Sequence, residues 1–307
     1  MGHYRDDRLS PDHRFDRVET TISHLLREPH PALGGRAFGP ALLDGLDAAG
    51  HGPGRRGPVV EVGGGAGWLG RACVTARPEL AWCCIDISRP ALLAQRHRVG
   101  GAAGRARSAF LRAEATALPL ASGSVTGLLL ANEVIADLPV GEARKDGEGG
   151  ELAGTGAEAF VREVSRCLAP GGTAALVEFG GGDPIQPVRL RGGFGGGDHT
   201  EHTVHFPSLE SVARAHGLEA RVVPLYDLLG IDGSVRVASH TDLRRLAALV
   251  PGTSMVAVTA EELRRRHPWL TRLFRFELPR LDSPRFPDAE AGIGAAEAFK
   301  ALLLRAD

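Results

Sequence analysis

Three alternating glycines, Gly63, Gly65 and Gly67, follow the apolar run Val59-Val60-Glu61-Val62 and lead into Trp68-Leu69. Glycine is needed where backbone must come close to a bound molecule, and a strand entering such a turn before a helix is how α/β sheets hold cofactors. Two cofactor types compete for this turn. Gly65-Ala66-Gly67-Trp68-Leu69-Gly70 satisfies the dinucleotide pattern G-x-G-x-x-G, with Asp86 at roughly the distance of a ribose-holding carboxylate. Against that, the glycine run begins at Gly63, directly after the strand, and Glu61 stands inside the strand, so a dinucleotide turn would start two residues late.

Asp86 closes Trp82-Cys83-Cys84-Ile85-Asp86, where a carboxylate can accept both ribose hydroxyl hydrogens; the alternative is a helix cap before Ser88. Asn132, Glu133 and Asp137 follow the apolar run that ends in Leu130-Ala131, beside the same expected crevice. There, Glu133 and Asp137 can orient an amine or guanidinium through charge-assisted hydrogen bonds, or Glu133 can take a proton from a hydroxyl. A plain cap carboxylate is the other account of Glu133. Asp198-His199-Thr200-Glu201-His202-Thr203-Val204-His205 holds metal-ligand types, but an extended chain puts His199 and His205 on one face and His202 on the other. With glycine hinges beside it, the stretch is expected to be a substrate-side flap carrying a general-base histidine, for which His205 is the candidate, and no metal is expected.

These groups need a scaffold. From Pro58 onward short β-branched runs alternate with helical spacing, which predicts βαβ units and a parallel sheet covered on both faces. Strands are expected near 58–62, 81–86, 108–112, 125–131 and 173–179, with later ones at 218–224 and 298–305. Helices are expected at 67–77, 88–98 and 157–169, the last stopped by Pro170-Gly171-Gly172. Val18–Leu26 and Phe38–Ala49 have helical apolar spacing, so residues 1–55 are expected to form a helical cover. Residues 56–224 with 298–307 make the cofactor domain, and 225–297 a helical lobe containing 242–249 and 260–274. The Arg264-Arg265-Arg266-His267 run on that lobe has no function assigned. The stretches 51–57, 141–156 and 180–197 are expected to be loops.

Composition narrows the partners. Thirty-six Lys plus Arg against 37 Asp plus Glu give a net charge of −1, so no long-range field points to nucleic acid or an anionic membrane. No apolar run reaches the length of a membrane span, and the four cysteines lack metal spacing, which together predict a cytoplasmic protein with reduced thiols.

Glu61-Val62-Gly63-Gly64-Gly65-Ala66-Gly67 resembles the first motif of the class I S-adenosylmethionine-dependent methyltransferases. Glu114-Ala115-Thr116-Ala117-Leu118-Pro119 is similar to the segment that meets adenine in that class, and Leu168-Ala169-Pro170-Gly171-Gly172 to its turn before the fifth strand. An exposed loop acid is the alternative for Glu114. The resemblance implies a doubly wound, mostly parallel seven-stranded Rossmann-like α/β sheet of order 3-2-1-4-5-7-6, with a helical insertion before the last strand. It implies S-adenosylmethionine bound at Glu61, Gly63, Gly65, Gly67, Asp86, Ile87, Glu114, Ala115 and Asn132, with S-adenosylhomocysteine as product. Asn132-Glu133-Val134-Ile135-Ala136-Asp137-Leu138-Pro139-Val140 resembles a stretch of the MidA family, whose mitochondrial members methylate an arginine in a respiratory complex I subunit. Further similarity runs through Phe38-Gly39, Ile85 to Leu92, Asp198-His199-Thr200, Val204-His205-Phe206 and Ala298 to Leu304. The family's aspartate falls on Ala136, one place before Asp137, and its long N-terminal substrate-side region is largely missing from this sequence. The implied acceptor is a peptide, protein or small-molecule nitrogen or oxygen. A nicotinamide oxidoreductase and a non-catalytic assembly factor on the same fold stand as the alternatives.

Overall fold

A computed structural model describes residues 33, 35–54, 57–103, 107–142, 152–190, 199–230 and 299–307. Seven strands lie in one sheet: β1 (Val59–Val62), β2 (Trp82–Asp86), β3 (Ser108–Arg112), β4 (Leu128–Asn132), β5 (Thr173–Gly181), β6 (Leu218–Pro224) and β7 (Phe299–Ala306). Their spatial order is β3-β2-β1-β4-β5-β7-β6, the predicted one. All neighbours are parallel except β7, which runs antiparallel to both β5 and β6. A short strand, Val204–His205, adds an eighth member by pairing parallel with the end of β5.

Strand composition explains why the centre of the sheet is buried on both faces. β4 reads Leu-Leu-Leu-Ala-Asn and every residue of it is buried, as a central parallel strand requires. Leu128 and Leu130 join Val59 in one apolar cluster, while Leu129 and Ala131 join Val60 and Val62 in the other. The first cluster is closed by α1 (Phe38–Ala48), α2 (Trp68–Ala76), residue Val99 of α3 (Arg89–Ala103), and α6 (Leu225–Leu229). The second is closed by α4 (Thr155–Cys167) and α5 (Phe206–Ala215).

Contact between α1 and α6 is close enough to exclude a side chain. A Cβ on Gly45 would stand 1.9 Å from the Leu228 carbonyl oxygen, backbone that cannot rotate away. Gly45→Ala is therefore expected to cost about 1–3 kcal/mol through forced separation of the two helices. The urea midpoint measures it, and an unchanged midpoint would show that the helices yield freely.

Several local expectations need correction. The fourth strand begins at Leu128, and Val125 makes only an isolated bridge to Leu168. The fourth helix covers 155–167, because Pro170 acts at a distance: Leu168 is already extended. Within the glycine-rich stretches read as loops, Gly141–Glu142 pairs with Leu152–Ala153, and Pro187–Leu190 pairs with His199–His202. The single extended flap is also two strands. Thr203 breaks it by donating its N–H to the Gln186 carbonyl while its hydroxyl accepts the Gln186 N–H, and the chain then joins β5. Residues 18–26, Asp198, the 242–249 and 260–274 segments and the Arg264–His267 run lie outside the described residues. Among the described residues no helix is long and apolar enough to cross a membrane.

Candidate cofactor and acceptor site

β1 carries the chain straight into the glycine turn. Gly63, Gly65 and Gly67 have φ of 69°, 49° and 78°, a left-handed backbone that side chains resist. The Gly63 N–H donates to the Ile85 carbonyl at 2.8 Å and the Gly67 N–H to the Gly64 carbonyl at 2.8 Å, after which α2 begins. A Cβ on Gly63 would meet Val134 at 2.4 Å, so the turn and the segment after β4 are pressed into one crevice.

Glu61 lies beneath that turn, 1% exposed. Its Oε2 accepts the Trp82 Nε1–H at 2.8 Å, while its Oε1 meets no donor among the described residues. Burial pushes its carboxyl up to about 7, opposed by the Trp82 bond and assisted by the nearby Asp86 charge. A Cβ on Gly70 would lie 2.7 Å from Oε2, which puts the carboxyl directly under the first turn of α2.

Asp86 ends β2 and is also buried. Its Oδ1 accepts the Ser88 N–H at 2.9 Å and its Oδ2 the Gln95 side-chain amide at 2.8 Å. Burial raises its carboxyl to about 6, with the donors from Ser88, Gln95, Gly65 and Ile87 pulling the other way. Capping of α3 belongs to Ser88, whose hydroxyl accepts the Ala91 N–H, and not to Asp86. Ile87 is half-buried, Glu114 is exposed two residues past β3, and Ala115 is half-buried. The Ala113 N–H donates to the Asp86 carbonyl, which ties the Glu114 segment to the end of β2.

On the other side of the crevice Asn132 ends β4, donating Nδ2–H to the Glu133 carboxylate at 3.1 Å; its Oδ1 is buried with no donor among the described residues. The Glu133 N–H continues the ladder to the Val177 carbonyl at 2.8 Å, and then the chain turns sharply. Among the described residues Glu133 alone combines a side chain with positive φ, 55°. Such strain in a residue other than glycine persists at functional sites. Asp137 closes the short 3₁₀ turn Ile135–Asp137 and is half-buried.

Two residues that the sequence reading passed over hold this machinery. Glu178 on β5 is fully buried, accepting the Ala136 N–H at 3.1 Å and the Phe179 N–H at 3.0 Å. Burial pushes its carboxyl up to about 8, against the pull of those two amides and with the Glu201 and Asp137 charges adding to the rise. The signal in the sequence is a lone acid inside the apolar run Ala174-Ala175-Leu176-Val177-Glu178-Phe179. Gln95, on α3, is the second.

A cleft of about 350 Å³, counting the part open to solvent, lies beyond the Ile135–Asp137 turn, walled by Ile135, Leu138, Val204 and Leu209 with His202 and His205. His202 and His205 thus share one cleft, contrary to the extended-chain parity, because the strand breaks between them. His205 Nδ1 is 2.7 Å from the Ser208 hydroxyl. The His199 side chain lies outside the described residues, and among those described no group of three His, Cys, Asp or Glu could hold a metal.

This architecture occurs in solved proteins. A protein from Galdieria sulphuraria provisionally named a sarcosine dimethylglycine methyltransferase superposes with a TM-score of 0.50 at 14% identity, over 98% of both chains. The mostly parallel α/β fold is shared with that protein. Phosphoethanolamine N-methyltransferase 2 of Haemonchus contortus, solved with S-adenosyl-L-methionine, gives 0.49 at 14% identity over 95% of this chain and 59% of its own. An uncharacterised protein from Burkholderia thailandensis gives 0.49 at 20% identity over 91% and 79%. No protein-family model matches the chain, and no curated protein matches its sequence.

Proposed function

We propose that the chain transfers a methyl group from S-adenosylmethionine to a nitrogen or oxygen nucleophile. The observation that carries this reading is the buried Glu61 carboxyl under the first turn of α2. A helix N-terminus behind a glycine turn suits a pyrophosphate, but an acid directly beneath it repels one when ionised and offers it no donor hydrogen from Oε2, which is taken by Trp82. The same acid favours a cofactor that presents an amino group and a sulfonium there.

The residues fit that cofactor. The left-handed Gly63, Gly65 and Gly67 would let backbone approach its amino-acid part, Asp86 would hold the ribose, and Ile87, Glu114 and Ala115 would line the adenine. Asn132 and Glu61 each bring a buried oxygen without a donor among the described residues, which a bound amino group or a water can satisfy. Bound there, S-adenosylmethionine supplies a methyl group on a sulfonium for in-line displacement, a reaction that depends on alignment more than on a protein nucleophile. Glu133 and Asp137 align the acceptor, with Glu133 or His205 receiving its proton.

The resemblance of Asn132 to Val140 to the MidA stretch supports a peptide or protein side chain, arginine-like, as acceptor. The mostly apolar walls of the cleft beyond the Ile135–Asp137 turn support a second reading, a small-molecule acceptor. Four unpaired thiols fit a cytoplasmic setting.

Calorimetric titration with S-adenosylhomocysteine and, in parallel, reduced nicotinamide dinucleotide tests the cofactor. Binding of the first alone is expected; binding of the second alone would move the glycine turn to the oxidoreductases. Labelled methyl transfer to peptide and metabolite pools then separates the acceptors, and cofactor binding with no transfer to any pool would point to the assembly factor.

A further inference from the structure

We propose that Gln95 is a positioning residue of the cofactor site, its side-chain amide locking the ribose carboxylate of Asp86 to the glycine turn at Gly65. This rests on the S-adenosylmethionine reading and extends it to a residue outside the glycine motif. One Nε2 carries two hydrogens, and both are used: it donates to Asp86 Oδ2 at 2.8 Å and to the Gly65 carbonyl at 3.0 Å. Turning the amide over would face Oε1 against two acceptors, so the network itself sets the orientation.

Packing does not explain the residue. Gln95 is 0% exposed, and its Oε1 is buried without a donor among the described residues, a penalty that an apolar side chain of similar length would avoid. Instead α3 grips the turn at three successive points. Gln95 takes the Gly65 carbonyl, Arg98 donates to the Ala66 carbonyl at 2.8 Å while lying 4.4 Å over the Trp68 ring, and a Cβ on Gly67 would strike the Gln95 Cα at 2.9 Å. Glycine at 67 is thus demanded by helix approach as well as by its φ.

The lock also acts on charge. Asp86 is faced by Glu61 from β1, by the Cys84 thiol of its own strand, by Arg112 as its register partner on β3, and by Gln95 from α3. Donors to a carboxylate favour its ionised form. Gln95 therefore keeps Asp86 ready to accept ribose hydroxyls at neutral pH, and losing it lets the proton stay on to higher pH.

S-adenosylhomocysteine affinity measured by calorimetry from pH 5.5 to 8.5 on wild type, Gln95→Met and Gln95→Glu tests this. Gln95→Met should weaken binding by about tenfold or more at pH 8, the loss of a hydrogen bond to a charged group. Its acid limb should move toward neutrality. Gln95→Glu should bind worst at pH 8, where it has no hydrogen to donate, and regain affinity on mild acidification, opposite in direction to wild type. Wild-type affinity and acid limb retained by both variants would overturn the lock while leaving the cofactor reading intact. No binding by wild type would overturn the cofactor reading itself. Should neither variant fold, the wild-type Gln95 side-chain amide resonances decide: they must shift with the Asp86 titration, and amides insensitive to pH refute the lock.

Discussion

Asp86→Ala should weaken S-adenosylhomocysteine binding by about 10²-fold or more at pH 8, with the fold retained. Two ribose hydroxyls lose an ionised acceptor, and hydrogen bonds to charged groups are worth about 1.5–3 kcal/mol each. Burial holds the Asp86 carboxyl near 6, so at pH 8 it is ionised and the full loss is seen. Wild-type affinity should decline as pH falls through about 6, whereas the alanine variant, weak throughout, should lack that limb. The Ser88 and Gln95 donors are left facing a gap, a local penalty that leaves the apolar clusters untouched. Calorimetry gives the affinities and circular dichroism the fold; equal affinity in the two proteins would remove Asp86 from the cofactor site.

A second large effect concerns stability against pH. Glu178 is held near 8 in the folded chain against 4.5 for an unperturbed glutamate. Folded protein thus binds more protons than unfolded between those values, so the stabilisation is complete below 4.5 and is lost as pH rises through about 8. Glu178→Gln stays neutral throughout. One carbonyl oxygen serves Ala136 or Phe179 but not both, which gives a loss of about 1–3 kcal/mol that does not vary with pH. The advantage of wild type over variant should therefore fall by on the order of a few kcal/mol from pH 5 to pH 9, enough to reverse and leave the variant the more stable at pH 9. Glu61 and Asp86 titrate in both proteins and cancel from that difference. Parallel curves from urea unfolding at each pH would show that Glu178 carries its charge without penalty.

Of the two residues, Asp86 is legible in the sequence and Glu178 is not. Asp86 is legible because strand, carboxylate and glycine turn follow one another within one βαβ unit, where spacing alone places them. The parallel sheet is legible for the same reason: buried strands such as Leu128-Leu129-Leu130 are continuous apolar runs that few other structures accommodate. Glu178 acts across the sheet on an amide 42 residues earlier, and Gln95 bridges to a carbonyl 30 residues away. A polar residue with such a role is indistinguishable in sequence from a solvated one, since its partner is chosen by tertiary approach. The histidine parity failed for a related reason. Alternation of side chains holds only while a strand stays in one sheet, and Thr203 ends one pairing just before Val204 begins another.

The antiparallel β7 has a consequence for how the chain is made. It lies between β5 and β6, with Ala301, Leu302, Leu303 and Leu304 wholly buried, although it is the last of the seven to leave the ribosome. Until it arrives, β5 presents an open apolar edge and β6 has no neighbour in the sheet. The part from β1 to β5 can close early, while the last two strands wait on contacts more than a hundred residues apart in sequence. That interval is when a nascent chain exposes a strand edge to other chains, so the order of synthesis sets the stage at which this sheet is most open to edge-to-edge pairing.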